Sequence, residues 1–362
     1  MSGGNSPSKR GGLMAAVLLA GAALGLTGRA EAAPTAPFIG FYDAWDRSDL
    51  PALPRQLAGL DVFAPRWLTI RGPQGQVVVE PDNGAAALAA RAGPRLRLMP
   101  LISNAHDDIW DQAAADAVIL DPSARKAFLA QLQVLARTKG YAGYIFDFEN
   151  LSARAQAGYP SLLAAARGAL GASRVEVWAT VAPGPDQPLK AVANAADAAV
   201  LMAYDECWAT SNAGPIAGAD WLGRLLSERL AGLDPHRVVI ALAAYGYDWP
   251  DGKPGSPIGA VQAMALAARV KAKPVRDPAS QSLHFAYTGA GGQPRQVWFL
   301  DARAFEADRA VAAAFRPRGY ALWRLGLEDP AIWSPPSAPA ATTQKAPAQG
   351  PAPHPCNLLK PG

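Results

Sequence analysis

Sulfur and imidazole are scarce in this chain. Two cysteines, Cys207 and Cys356, and four histidines, His106, His236, His284 and His354, are spread over 362 residues. The histidines form no H-x-x-x-H pair and no cluster with cysteine, so neither a metal nor a cofactor is expected. Two distant thiols are not a disulfide framework, and Cys356 falls in a stretch that reads as a mobile tail. Charge is sparse too, at 18% of residues, with a formal net charge of +4. There is no long Lys/Arg run, so a pI near 9.1 does not point to nucleic acid. The apolar run from Leu13 to Leu26 is shorter than the ~20 residues of a spanning helix.

That run has another reading. Lys9-Arg10 precede it, and Ala30-Glu31-Ala32 follows as an A-x-A cleavage site. A basic flank, a short apolar core and a small-residue exit describe a secretory signal peptide over residues 1–32. The expected location after cleavage near Ala32 is the periplasm or the extracellular space. No cysteine follows the cleavage site, which argues against a lipid anchor. Cleavage takes away Lys9, Arg10, Arg29 and Glu31, lowering the formal charge from +4 to +2.

From Pro37 to Trp333 short apolar runs alternate with helical patterns. Strands are expected at Phe38–Phe41, Val62–Pro65, Arg97–Ile102, Tyr144–Asn150, Val175–Val181, Ala198–Ala203, Val238–Ala243 and Tyr320–Trp323. Helices are expected between them, the clearest capped by Asp121, opened by Pro122 and ended by Gly140. Nearly all-apolar strands are those of a parallel sheet covered on both faces. Eight strand–helix units predict an α/β fold, a (β/α)8 barrel, as one domain over residues 37–333. Leu283–Tyr287 and Gln296–Leu300 flank Gly289-Ala290-Gly291-Gly292, which predicts a β-hairpin inserted between strand seven and the last helix. Residues 334–362 are rich in Pro and Ala and are expected to be a disordered tail.

Strand four carries the chemistry. Read with a period of two, Tyr144, Phe146 and Phe148 share one face, while Ile145, Asp147 and Glu149 share the other. Successive acids on that face stand roughly 6–7 Å apart. Catalytic groups of such a barrel come from the C-terminal ends of its strands. Collecting those ends adds Tyr42, Asp43 and Trp45 from strand one, and Tyr204 and Asp205 from strand six. Strand seven adds Tyr245, Tyr247, Asp248 and Trp249, and strand eight adds Trp323. Carboxylates framed by Tyr and Trp suit a sugar, whose CH faces stack on rings while its hydroxyls need hydrogen bonds. His106-Asp107-Asp108 reads as a solvated loop.

The Tyr144–Asn150 stretch resembles the catalytic strand of family 18 glycoside hydrolases, whose motif is D-x-x-D-x-D-x-E. Met202-Ala203-Tyr204-Asp205 resembles that family's strand-six motif. The likeness continues through Gly214–Ala217, Tyr245–Pro250, Val297–Asp301 and Ala321–Gly326, and covers roughly Pro37 to Trp333. It is to the bacterial branch whose chitinase-like domains are sometimes fused to polysaccharide deacetylase and glycosyltransferase modules. The resemblance implies catalytic roles for Glu149, Asp147 and Tyr204. Glu149 would be general acid and then base, Asp147 would orient the substrate's acetamido group, and Tyr204 would hydrogen-bond its carbonyl. Trp323 would floor the subsite, with Asp205, Tyr245, Tyr42 and Trp249 as further substrate contacts. The substrate would be a polysaccharide or oligosaccharide of N-acetylglucosamine, with its own acetamido oxygen as nucleophile. Two positions depart from the motif, Ala142 and Ile145 standing where it has aspartates. Ile145 removes a proton-sharing partner, so Asp147 is expected to ionise more readily. Cys207 stands where the close branch has histidine. A second reading is a carbohydrate-binding relative without turnover, favoured by the two lost acids and opposed by Glu149, Asp147 and Tyr204. A third, a structural envelope protein, rests on the tail alone.

Overall fold

The computed structural model describes Met1 and residues 36–43, 50–106, 109–334 and 356–357. The expected leader over 1–32, Trp45, Asp107, Asp108 and most of the tail lie outside the described residues. Among the described residues, no helix is long and apolar enough to cross a membrane.

Eight parallel strands close on themselves. They are β1 (Phe38–Tyr42), β2 (Val62–Arg71), β3 (Arg97–Leu98 and Leu101–Ser103), β4 (Gly143–Asp147), β5 (Glu176–Val181), β6 (Ala198–Met202), β7 (Val238–Ala243) and β8 (Gly319–Trp323). Each pairs with its sequence neighbours, and β1 pairs with both β2 and β8, which shuts the barrel. All eight expected strands are there. β3 is interrupted around Pro100, which has no N–H to give to a ladder, although its carbonyl still accepts from the Ile145 N–H at 3.1 Å.

Side-chain alternation sorts the strand residues between two cores. Ile39, Phe41, Val62, Ala64, Leu101, Ile145, Trp178, Val200, Ala241 and Ala321 fill the barrel interior. The opposite parity, including Tyr144, Phe146, Phe148, Val177 and Leu201, packs under the helices. Tyr144 shows the outward orientation directly, its hydroxyl donating to the Leu132 carbonyl at 2.7 Å.

The covering helices are α1 (Leu53–Ala58), α2 (Ala85–Arg91), α3 (Gln112–Leu120), α4 (Pro122–Lys139), α5 (Ala153–Gly171), α6 (Leu189–Ala195), α7 (Ala219–Arg229), α8 (Ala260–Arg269) and α9 (Ala302–Ala313). α4 follows its sequence signals. Asp121 accepts from the Ser123 and Ala124 N–H groups, and Gly140 ends the helix at φ 69°. α5 is capped by Ser152 and carries Pro160 inside the helix. α3 and α8 were not expected from the pattern.

The insertion is larger than a hairpin. Leu283–Thr288 and Pro294–Phe299 do pair as an antiparallel hairpin, but within a five-stranded sheet that also holds Gly246–Pro250, Ser256–Ile258 and Val275–Arg276. α8 packs on it through Ala263, Leu266 and Ala267 against Phe285, Val297 and Phe299. Tyr247, Asp248 and Trp249 therefore belong to this sheet and not to the end of β7. Gly246 is required at the crossing, where a Cβ would stand 2.2 Å from the Trp298 carbonyl oxygen.

The two thiols overturn the expectation from their spacing. Cys207 and Cys356 form a disulfide with Cα atoms 5.2 Å apart across 149 positions of sequence. Asn357 adds two hydrogen bonds to Asn212, accepting from its N–H at 3.0 Å and donating to its Oδ1 at 2.6 Å. Cys356 and Asn357 are thus fastened to the loop after β6, and a mobile reading does not hold for these two residues.

Candidate active site

β4 ends at Asp147, and the chain leaves the barrel through Phe148 to Glu149. The parity that buries Ile145 in the interior brings both acids to the mouth of the barrel. Asp147 is 7% exposed. Its Oδ1 accepts from the Thr180 hydroxyl of β5 at 2.7 Å. Burial pushes its carboxyl above the usual range, opposed by that hydrogen bond and by the Arg66 charge. Even without the proton-sharing aspartate that Ile145 replaces, burial leaves Asp147 harder to ionise than a solvated carboxyl. Arg66, on β2, is itself paired with Asp43 at 2.9 Å.

Glu149 is half-buried, and its carboxyl has no hydrogen-bond partner among the described residues. Burial raises its pKa to about 8, with the charges of Asp147 and Asp205 adding to the shift. Asp205 is raised by burial to about 6, against the hydrogen bond it accepts from the Tyr245 hydroxyl. Tyr204 is buried by its ring, which stacks on Trp323 at 6.3 Å and meets Tyr245 edge-on at 6.1 Å. Burial and the surrounding carboxylates hold both tyrosines as neutral phenols. The Tyr204 hydroxyl also has no partner among the described residues. Trp323 rests on Phe41 at 5.5 Å. Beside these groups lies a cavity of about 170 Å³, lined in part by Glu149, Thr180, Met202, Gln156 and Gln187. A protonated carboxyl facing open space, next to a free phenol and an indole face, can deliver a proton to a bound oxygen atom.

Two expected contacts fall elsewhere. Tyr42 lies on the outer face of β1, packed with Phe63 at 5.6 Å, and its hydroxyl accepts from Asn83 at 2.7 Å. The inward residue of that strand is Phe41, one position away. Trp249 is 3% exposed, stands behind Tyr247 at 5.2 Å and donates to the Trp208 carbonyl at 3.3 Å. It is a buried support and offers no open face to a sugar. His106 approaches Asp111 at 3.8 Å. Cys207, fully buried in its disulfide, has no free side chain for substrate. Thr180, Arg66 and Asn104 were not singled out from sequence. Thr180 could have been found as a polar residue with the inward parity of Trp178 near the C-terminal end of a strand.

A closed (β/α)8 barrel with acids and aromatics gathered at the C-terminal ends of β4, β6 and β8 is built as a glycosidase. The chain belongs to glycosyl hydrolases family 18, whose pattern matches residues 37–328. It is 24% identical over 273 residues to the uncharacterized glycosylase YvbX of Bacillus subtilis (strain 168), covering 72% of this chain and 79% of that protein. The cortical fragment-lytic enzyme of the same organism is 26% identical over 254 residues, covering 65% of this chain and 58% of that enzyme. Among solved structures, a chitinase from Chromobacterium violaceum superposes with a TM-score of 0.74 at 27% identity, over 82% of this chain and 96% of that one.

Proposed function

We propose that this glycosidase is exported and cleaves a β-linked, N-acetylglucosamine-containing polysaccharide with retention, using the substrate's own acetamido group. The observation that carries the reading is the place of Glu149. Its carboxyl has no hydrogen-bond partner among the described residues and stands at the barrel mouth beside Asp147 and Asp205, where burial raises its pKa to about 8. Glu149 donates its proton to the glycosidic oxygen as the bond to C1 breaks. The acetamido oxygen attacks C1 from the other face and forms an oxazolinium ion. Asp147, oriented by Thr180, faces the positive charge that develops on the acetamide, and the Tyr204 hydroxyl donates to its oxygen. Glu149, now ionised, takes a proton from the water that opens the ring. Trp323 floors the sugar, with Asp205 and Tyr245 as a hydrogen-bonded pair at its edge. A chitinase and a cortical fragment-lytic enzyme among the relatives support chitin and peptidoglycan glycan strands as candidate polymers, and exported poly-N-acetylglucosamine has the same chemistry.

Glu149→Gln removes the transferable proton while keeping shape, and is expected to lower kcat by roughly 10²–10⁴. Wild-type kcat/KM should fall above about pH 8, where Glu149 loses its proton. A panel of β-1,4 and β-1,6 N-acetylglucosamine oligomers, followed by reducing-end release and by the anomer first formed, measures both. Unchanged hydrolysis by the variant sinks the assignment. Tight binding by the wild type with no product after long incubation would make the site a lectin.

A further inference from the structure

Glu149 lies two residues beyond the end of β4, where the barrel ladder has stopped. Ser103 is the last residue of β3 and stands in register with Asp147. The next residue, Asn104, is fully buried. Its side-chain amide continues the ladder. Oδ1 accepts from the Glu149 N–H at 3.0 Å, and Nδ2 donates to the Glu149 carbonyl at 3.0 Å. Because an N–H can only donate, the amide can be turned only one way. Nδ2 also donates to the Asp111 carbonyl at 3.2 Å, and the Asp111 N–H donates to the Asn104 carbonyl at 2.8 Å. The same region reaches the residues that follow. Gln112 donates to the Asn150 carbonyl at 2.7 Å, and Asp116 accepts from the Ser152 N–H at 3.3 Å. Asn150 between them is in the left-handed region at φ 53°.

We infer that Asn104 is a positioning residue for proton transfer, its amide standing in for a strand so that the Glu149 main chain is held at the barrel mouth, with Gln112 as an outer support. The inference rests on Glu149 being the acid. An amide presents the same donor–acceptor pair as a peptide; aspartate lacks the donor and serine lacks the reach. Proton donation needs heavy atoms about 2.6–3.2 Å apart, and a misplacement of about 1 Å costs on the order of 10² in rate. Freed of the amide, Glu149 swings toward water and away from Asp147 and Asp205.

The test compares the full chain with Asn104→Ala, Gln112→Ala and Glu149→Gln on N-acetylglucosamine oligomers. Asn104→Ala should lower kcat about 30- to 100-fold with KM within about threefold. Its alkaline limb should move down by about one pH unit, since the carboxyl is better solvated. Gln112→Ala, which deletes a surface donor, should lower kcat about threefold. A cooperatively melting Asn104→Ala protein with unchanged kcat and alkaline limb overturns the inference. Should that variant fail to fold, unchanged kcat in Gln112→Ala overturns it. A fully active Glu149→Gln protein removes Glu149 from the chemistry and this inference with it, whereas an inactive one beside an intact Asn104→Ala protein refutes the positioning role alone.

Discussion

Single residues at the barrel mouth owe their properties to neighbours on other strands. Asp147 retains a carboxylate-stabilising hydrogen bond although Ile145 stands where the family motif has an aspartate, because Thr180 supplies it from β5. Thr180→Val keeps the volume and deletes the hydroxyl. The lost bond to a buried acid costs about 1–3 kcal/mol, and the Asp147 pKa rises further because only Arg66 still opposes burial. Expected is a roughly 10- to 100-fold lower kcat, with the acid limb of the pH profile moved upward. Unchanged kinetics would remove Asp147 orientation from Thr180. The pair Asp147 and Glu149 was readable from alternation alone. Tyr42 differs from the inward Phe41 by one residue of parity, and alternation says which residues share a face but not which face is inside. Thr180 and Asn104 act through hydrogen bonds across strands, which no spacing within one strand reveals.

At the scale of elements, strands and capped helices were legible where their signals are local. Asp121, Pro122 and Gly140 bound α4 with no help from the rest of the chain. α3 has no sequence boundary of its own, because Asp121 both ends it and caps α4, which leaves no turn between them. In sequence the strand Gly246–Pro250 looks like the end of β7 because its aromatics continue that run, while its partners lie at Ser256–Ile258 and Pro294–Phe299. The Cys207–Cys356 link is another long-range pairing. It closes a loop of 149 positions, and such a bond typically contributes about 2–4 kcal/mol by restricting the unfolded chain. Cys356→Ser should lower unfolding stability by that amount in a urea titration, and reductant should bring the wild type to the same midpoint. A wild type indifferent to reductant would show that the link carries no stability. Gly214 is part of the arrangement, for a Cβ there would lie 2.4 Å from the Cys207 sulfur.

The whole molecule buries several carboxyl groups that are protonated more readily than usual. Glu206, after β6, accepts from the Gly218 N–H at 2.9 Å and is raised to about 7, first by burial. Asp308 on α9 is 1% exposed, and burial followed by the Glu206 charge holds it well above the carboxylate range. Glu149 and Asp205 are raised as well, to about 8 and about 6. A folded pKa above the unfolded one means that the native state binds more protons between the two values. Stability therefore falls as pH rises from about 4.5 toward about 8. Tm should be higher at pH 5 than at pH 8. Glu206→Gln, which keeps the acceptor for Gly218 and cannot ionise, should flatten the decline around pH 7. An equally steep decline in that variant would clear Glu206 of the effect. Sequence alone determined the barrel, its strand order, and the two acids on one face of β4, because each of these is written in periodicity within a short segment. It also carried the family motifs from Tyr144 to Gly326. Only tertiary structure decided that Asp147 leans on Thr180, that Glu149 hangs from Asn104, that Tyr42 faces outward, and that Cys356 meets Cys207. Those facts are distances between residues remote in sequence, set when the barrel closes and water leaves the site.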